Sequence, residues 1–437
     1  MRCVITNVGS MGDIHPYLAL AVELARNGHK PLLAFPPYAR SLIEETGLEY
    51  SSIGPDLQGV QAELITAMQK MPDSAQALVG MFTPLVRALP QMFSELGALC
   101  AGADVLISGP MQPASRMIHE LAGIPFVSVQ ENHFGGGGSP AFQQATASLI
   151  NPFRLGLGLQ PLRHPVTVDA NSPQLALYAM SRHVTPPPPD WPGHYHMTGY
   201  FFMDGEQWQP YPELADFLAG GEPPVVISFG SMTHEDPAGV TDLILESVKQ
   251  AGCRAILQQG WSGLGHESLP RDIHVAGFIP HTWLFDHAAC VVHHGGPGTA
   301  AAAFRAGVPS VFVPHAFDQP IWSELARDMG MIAPIPFLEL TAQRLSDAIK
   351  TTLATKRYYQ VAAELRERIR EERGVEKARI LIEELVFRIG LCHESSRVPG
   401  RFSPLEDGNR RKHYQEQRRA RKRTDRVICR EFDGQVQ

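Results

Sequence analysis

Asp13 lies on a glycine loop, Gly9-Ser10-Met11-Gly12-Asp13, directly after an apolar stretch from Cys3 to Val8. A carboxylate there can take the proton of a hydroxyl, and an alcohol is a poor nucleophile until that proton leaves. His15, two residues on, is a reserve base. The bland alternative makes Asp13 a capping carboxylate for a helix starting at His15. A second group runs from Val291 to Gln319, VVHHGGPGTAAAAFRAGVPSVFVPHAFDQ. Here an apolar strand delivers His293 and His294 to the turn Gly295-Gly296-Pro297-Gly298-Thr299, which opens into an alanine-rich helix. Backbone N–H groups and the positive end of a helix converge on such a turn, which therefore suits an anion such as a diphosphate. Gly230-Ser231 repeats the arrangement, and Asp318-Gln319 follows a third strand. One glycine turn is ordinary; two in one domain, with an acid–amide pair beside them, are much less so.

Such loops need strands that end together. The chain alternates apolar strands (Cys3–Val8, Pro31–Phe35, Asp104–Ser108, Pro125–Gln130) with helical stretches, including one bearing Leu18, Ala21, Val22 and Ala25 with Pro16 in its first turn. The pattern restarts with strands at Val225–Phe229, Arg254–Gln258, Ala289–His293 and Ser310–Val313, and helices dominate from Thr341 to Arg388. Strands separated by helices imply parallel crossovers and two doubly wound α/β domains. Ligands of such folds bind beyond the carboxyl ends of the strands. The prolines Pro186–Pro189 and Pro192 favour a stiff segment that cannot continue a sheet. The expected division is therefore a first α/β domain over 1–185, a linker over 186–198, a second α/β domain with closing helices over 199–390, and a tail over 391–437.

Composition narrows the class. A chain of 437 residues exceeds one compact core, and 44% hydrophobic with 19% charged residues is globular. Six scattered cysteines form no C-x-x-C pair, so neither a disulfide frame nor a zinc site is indicated. No apolar run reaches the ~18 residues of a membrane span, and the opening has no signal-peptide pattern. A cytoplasmic protein is expected. The first 390 residues carry 26 Lys/Arg against 38 Asp/Glu, a balance that disfavours nucleic acid. Residues 391–437 carry 12 against 7, and within them 409–426 hold nine basic residues and two acidic. That run cannot bury enough apolar surface to fold alone. Any membrane contact it makes is weak, electrostatic and peripheral.

With these residues in place, the chain resembles family 1 glycosyltransferases of the GT-B fold, in particular sterol glucosyltransferases and bacterial enzymes acting on lipids and natural products. Gly277-Phe278-Ile279-Pro280-His281-Thr282-Trp283-Leu284-Phe285 resembles their G-x-x-P-H-D-W-L-F, with Thr282 in place of the acid. His293 to Thr299 resembles H-H-G-G-A-G-T with Pro297 for alanine, Asp318-Gln319 matches the closing D-Q, and Gly9–Pro16 resembles G-x-x-G-D-x-x-P. The resemblance implies two Rossmann-like domains facing each other across a cleft. It implies a nucleobase stacked on Phe278 and read by the backbone of Ile279. The diphosphate would be held by Ser231, His293, Gly298 and Thr299, with Gly12 and Gly296 completing the donor set, and the sugar by Asp318 and Gln319. Asp13 takes the position of the base. Plant relatives use a histidine there, supported by an acid after the fourth strand, where this chain has Ser108 and Gly109.

The implied reaction moves a hexose from UDP-glucose or a dTDP-sugar to a hydroxyl of an apolar acceptor, with inversion. No cofactor is expected. No metal is expected either, because the chain has no D-x-D triplet and a helix end with histidine can stabilise the leaving diphosphate. Proline at 297 removes one N–H donor but suits the first position of a helix. The acceptor pocket is placed at 61–100 and 133–160, including Gly135–Gly138, where Met and Phe residues also fit ordinary core packing. His294, His281, His133 and Trp283 have packing as their default reading. A dehydrogenase is disfavoured because the loop is not G-x-G-x-x-G and Leu32–Phe35 runs into Pro36-Pro37 without a ribose-binding acid. The alternatives are a sugar-nucleotide epimerase, which needs no acceptor, and a silent sugar-nucleotide-binding protein.

Overall fold

The computed structural model describes residues 1–56, 75–131, 140–203, 208–260, 262–265 and 269–395. The expectations placed on 61–74, on His133 with Gly135–Gly138, and on the basic run 409–426 fall outside them. Met1–Phe387 forms one compact unit; of the second, Arg388–Gln437, only the end of the last helix is described.

The compact unit holds two parallel sheets. The first comprises β1 (Arg2–Thr6), β2 (Lys30–Phe35), β3 (Glu49–Ser52), β4 (Val105–Ser108), β5 (Phe126–Gln130), β6 (Leu175–Tyr178) and β7 (Tyr195–Met197), in the order β3-β2-β1-β4-β5-β6-β7. The second comprises β8 (Val225–Ser228), β9 (Ala255–Gln258), β10 (Ile273–Ala276), β11 (Cys290–His293) and β12 (Ser310–Phe312), in the order β10-β9-β8-β11-β12. Central strands such as β4, β8 and β11 are buried on both faces, as parallel sheets covered by helices require. The expected doubly wound architecture is present in both sheets.

Strand order reverses between β1 and β4 in the first sheet and between β8 and β11 in the second, and these switch points are where doubly wound folds bind ligands. Register sharpens the point. Thr6 lies opposite Ser108, and Ser108 opposite Ser128, so Asn7 and Gly109 leave the sheet side by side, next to Val129 near the end of β5. Likewise Ser228 pairs with His293, and His293 with Phe312. The Gly230-Ser231 turn and the Gly295 turn therefore start from neighbouring strand ends.

Several sequence expectations need correction. The first strand stops at Thr6, and helix α1 (Met11–Arg26) starts four residues before His15, with Ser10 as N-cap. Pro16 thus sits inside the helix rather than in its first turn. The stretch 186–198 ends in a strand: Tyr195–Met197 pairs with β6 as the last strand of the first sheet. An edge strand needs a ladder on one side only, which is why a proline-rich approach does not prevent it. The last helix runs Gly374–Ser395, through the expected boundary at 390. Its Arg379 pairs with Glu23 of α1 at 3.0 Å, and its Glu383 with His29 at 2.8 Å, so this helix returns to the first sheet's side. Met92 and Phe93, read as pocket or core, are core, packed with Leu89, Leu96 and Phe142.

Candidate active site

The loops at the ends of the second sheet assemble around two buried histidines. The backbone N–H of Gly295 donates to Nδ1 of His293 at 3.2 Å. A neutral imidazole has one N–H, so the accepting Nδ1 leaves the proton on Nε2. That Nε2–H is buried and has no hydrogen-bond partner among the described residues. Burial pushes the His293 pKa well below its ordinary value, with His294 and His281 adding to the effect, so the ring is neutral. Helix α2 (Pro297–Ala306) begins beside it with Gly296 as N-cap and Pro297 at its first position, as the sequence implied. Thr299 is buried in its first turn, and Gly298 has open space around its Cα. His294, also buried and pushed down to about 4, packs against both Gly230 and Gly296 and so ties the two turns together. Its packing role is more specific than a strand-end histidine suggested.

Asp318 stands at the N-cap position of helix α3 (Gln319–Asp328) without a side-chain capping bond, and its carboxylate accepts from the Trp322 indole N–H at 2.7 Å. Phe317 before it has φ 59°, a left-handed conformation that costs a side-chain-bearing residue about 1–2 kcal/mol. The turn is held by Gln319, whose Oε1 accepts from the N–H groups of His315 (2.8 Å) and Ala316 (3.1 Å). Its amide nitrogen lies 3.2 Å from the Met232 sulfur. Gln319 therefore shapes the turn that presents Asp318. His315 and His234 join the same two loops through an Nε2–Nε2 contact of 3.1 Å.

Phe278 is 70% exposed, the opposite of a core residue. Its ring lies 6.2 Å from that of His15 at an interplanar angle of 22°, so it reaches the first sheet's loop. The backbone behind it is fixed by Gln258, which donates to the Ile279 carbonyl at 2.7 Å and meets His281 Nε2 at 2.8 Å. The Ile279 side chain is fully buried. Trp283 packs on Trp208, centroids 4.7 Å apart, in keeping with its default reading.

On the first sheet, Asp13 is half-buried in the opening turn of α1 and its Oδ2 accepts from the Ser10 N–H (2.6 Å) and hydroxyl (2.8 Å). The capping role is thus present, three residues into a helix that begins at Met11 rather than ahead of one beginning at His15. It also fixes the carboxylate. Gly9, at φ 154°, is required there, because a Cβ would fall on the Asp13 carboxyl group. His15 donates from Nδ1 to the Met11 carbonyl at 2.6 Å, which leaves its Nε2 as the basic nitrogen, and burial lowers its pKa. Ser231 is half-buried in the turn after β8, and Gly12 is exposed in the first turn of α1.

Sequence reasoning missed three residues beneath Asp13. Glu131 follows β5 and is buried; its Oε1 accepts from Asn7 Nδ2 at 2.9 Å and its Oε2 lies 2.9 Å from the Tyr17 hydroxyl. Asn7 Nδ2 also donates to the Asp13 carbonyl at 3.2 Å. Gly109 is small of necessity, since a Cβ would overlap Asn7 and the Tyr17 hydroxyl. The available signal was an acid placed directly after an apolar strand. Among the described residues no group of three or more His, Cys, Asp or Glu is placed to hold a metal ion, and no helix is long and apolar enough to cross a membrane.

Comparison with known proteins agrees with this geometry. Residues 3–132 match the glycosyltransferase family 28 N-terminal domain, and residues 244–383 the erythromycin biosynthesis protein CIII-like C-terminal domain. The chain is 31% identical over 423 residues to O-mycaminosyltylonolide 6-deoxyallosyltransferase of Streptomyces fradiae, covering 88% of this chain and 97% of that one. It is 30% identical over 413 residues to sterol 3-beta-glucosyltransferase UGT80B1 of Arabidopsis thaliana, covering 86% and 67%. Spinosyn rhamnosyltransferase SpnG, solved with thymidine diphosphate, superposes with a TM-score of 0.66 at 20% identity over 88% of this chain and 100% of that one. Two parallel sheets with ligand loops at both switch points define the GT-B architecture. The chain belongs to the glycosyltransferase family marked by these domains and relatives, and it is a sugar-transferring enzyme.

Proposed function

We propose that this enzyme transfers a hexose from a nucleotide-diphosphate sugar, UDP-glucose in the first place, to a hydroxyl of an apolar acceptor such as a sterol, lipid, polyketide or phenol. The observation that carries the donor half is the buried, unpaired Nε2–H of His293 beside a helix N-terminus. An unpaired buried N–H costs about 1–3 kcal/mol, which a phosphate oxygen would return. The acceptor class rests on the relatives, whose names specify a sterol in one case and a mycaminosyltylonolide in the other. Transfer then proceeds by inversion. Asp13 takes the hydroxyl proton, the acceptor oxygen bonds to the anomeric carbon, and the bond to the diphosphate breaks on the opposite face. His293, Ser231, Gly298, Thr299 and the end of α2 take up the charge on the leaving diphosphate. Phe278 and Ile279 hold the base, and Gly12 and Gly296 leave room for the donor. The reading carries with it a cytoplasmic site of action and, for the basic tail, a salt-sensitive contact with anionic lipid surfaces.

Calorimetric titration with UDP-glucose, dTDP-glucose and dTDP-rhamnose tests the donor, with a sterol or macrolide aglycone as acceptor. Binding of UDP-glucose and turnover that survives EDTA are expected. A strict need for magnesium or manganese would refute the metal-free mechanism, and preference for a dTDP-sugar would reassign the donor. Product formed without acceptor would turn the reading to an epimerase. Asp318→Ala is expected to weaken the sugar nucleotide roughly tenfold while leaving UDP binding nearly unchanged, the loss of one hydrogen-bonded group. Equal losses for both ligands would remove Asp318 from the sugar and leave it as the acceptor that holds Trp322.

A further inference from the structure

The hydroxyl of Tyr17 makes two short oxygen contacts in a buried setting, 2.7 Å to the Val129 carbonyl and 2.9 Å to Glu131 Oε2. Each needs a proton between its oxygens, because two oxygens at that separation without one repel. Tyr17 carries one hydroxyl proton, and the Val129 carbonyl can only accept. If Tyr17 donates to Val129, the proton on the second contact must come from Glu131. If it donates to Glu131 instead, the contact at 2.7 Å has none. A single arrangement satisfies both: Glu131 Oε2–H donates to Tyr17, and Tyr17 donates to Val129. Glu131 Oε1 then keeps its acceptor role toward Asn7.

We infer that Glu131 is a neutral, protonated carboxyl group and acts as a positioning residue that fixes the Asp13 turn through Asn7 without adding a second negative charge beneath the base. The inference rests on the reading of Asp13 as base only for its catalytic consequence. The environment agrees with the proton count. Burial, and then the nearby Asp13 carboxylate, drive the Glu131 pKa well above its ordinary value, and its hydrogen-bonded surroundings only partly oppose this. Asp13 and Tyr17 of α1 and Asn7 after β1 face it, and Tyr17 is itself pushed well above its ordinary value by burial and by Glu131. A charged Glu131 would make each of the two carboxylates harder to ionise and would blunt the acid limb of the enzyme's activity. Neutral, it leaves Asp13 free to be the anion at working pH. Asn7 is the mechanical link, since one N–H of its amide reaches Glu131 and the other the Asp13 carbonyl.

Glutamine reproduces the two hydrogen-bond roles of the protonated acid: its NH2 can donate to Tyr17 and its oxygen can accept from Asn7. Glu131→Gln is therefore expected to keep kcat within about twofold of the wild type and to leave the acid limb of the kcat/KM–pH profile in place. Glu131→Leu, of similar size but unable to hold Asn7 or Tyr17, is expected to lower kcat roughly 10- to 100-fold, as misplacing a base by about 1 Å does, with donor affinity unchanged. Donor affinity, measured by calorimetry, reports that the second sheet is intact in both variants. An acid limb moved down by about one pH unit in Glu131→Gln would show that Glu131 is charged in the resting enzyme and overturn the proposal. Equal damage in both variants would do the same. Infrared difference spectra at neutral pH supply a readout independent of turnover: a protonated carboxyl C=O band present in the wild type and lost in Glu131→Gln. That band, with Asp13→Asn fully active, would keep the protonation of Glu131 and reject only the base assignment. Its absence would reject the protonation itself.

Discussion

Asp13→Asn is expected to bind the donor as the wild type does and to turn over roughly 10²–10⁴ times more slowly, the range for loss of a general base. The substitution suits the question because asparagine can still offer an oxygen to the Ser10 N–H and hydroxyl, the two groups that hold the carboxylate in place. The helix start should therefore survive, and the loss should fall on kcat. Single-turnover measurement with saturating donor and acceptor separates chemistry from binding. Activity close to that of the wild type would reject Asp13 and promote His15, whose Nδ1 bond to Met11 leaves Nε2 ready to accept a proton. A fall in kcat accompanied by a lower melting temperature would instead assign the carboxylate to capping, and Ser10→Ala would then reproduce it.

His293→Ala is expected to raise the dissociation constant for UDP and for UDP-glucose by roughly 10- to 100-fold, the worth of a hydrogen bond to a charged phosphate. Both ligands should suffer alike, since the proposed contact is to the diphosphate they share. The contrast with Asp318→Ala, which should discriminate between them, makes the pair more informative than either variant alone. His293→Gln is a useful companion, as it keeps a donor of similar reach beside Gly295. Unchanged affinity in the alanine variant would show that the Nε2–H is an internal group packed against Phe312, whose ring centroid is 4.3 Å away, rather than a ligand contact.

Much of the second sheet's loop cluster was legible because its signals are local. A histidine at a strand end, a glycine turn and an alanine-rich helix lie within a dozen or so residues, and the structure builds them as read, down to Pro297 at the first helical position. Phe278 was less legible: an aromatic flanked by Gly277 and Ile279 can belong to the core, and only its exposure removes that reading. Gln319 was read as a ligand group because its side chain carries the right chemistry, whereas its oxygen is engaged by two backbone N–H groups of a turn that sequence alone does not reveal. Edge strands were missed for a different reason. Glu49–Ser52 and Tyr195–Met197 are short and partly polar, and only their pairing with a neighbour makes them strands. The start of α1 was misplaced because Gly12 and Pro16 look like helix breakers, although the Ser10–Asp13 bonds start the helix ahead of both. Glu131 escaped notice because it matters only through register, which sets the ends of β1, β4 and β5 side by side from residues more than a hundred positions apart.

The return of the last helix to α1 bears on how the protein is made. Glu23 and His29 leave the ribosome early, yet their partners Arg379 and Glu383 lie 356 and 354 positions later. At about 5–20 residues per second the early residues wait roughly 20 to 70 s for those partners. For that interval the first sheet can fold with its own helices but stands without its final cover. The second sheet, made in between, has all of its strands before that cover exists. Nascent chains stalled before residue 370 should therefore already contain both sheets, each folded locally, while the clasp between α1 and the helix at 374–395 forms only after that helix has been made.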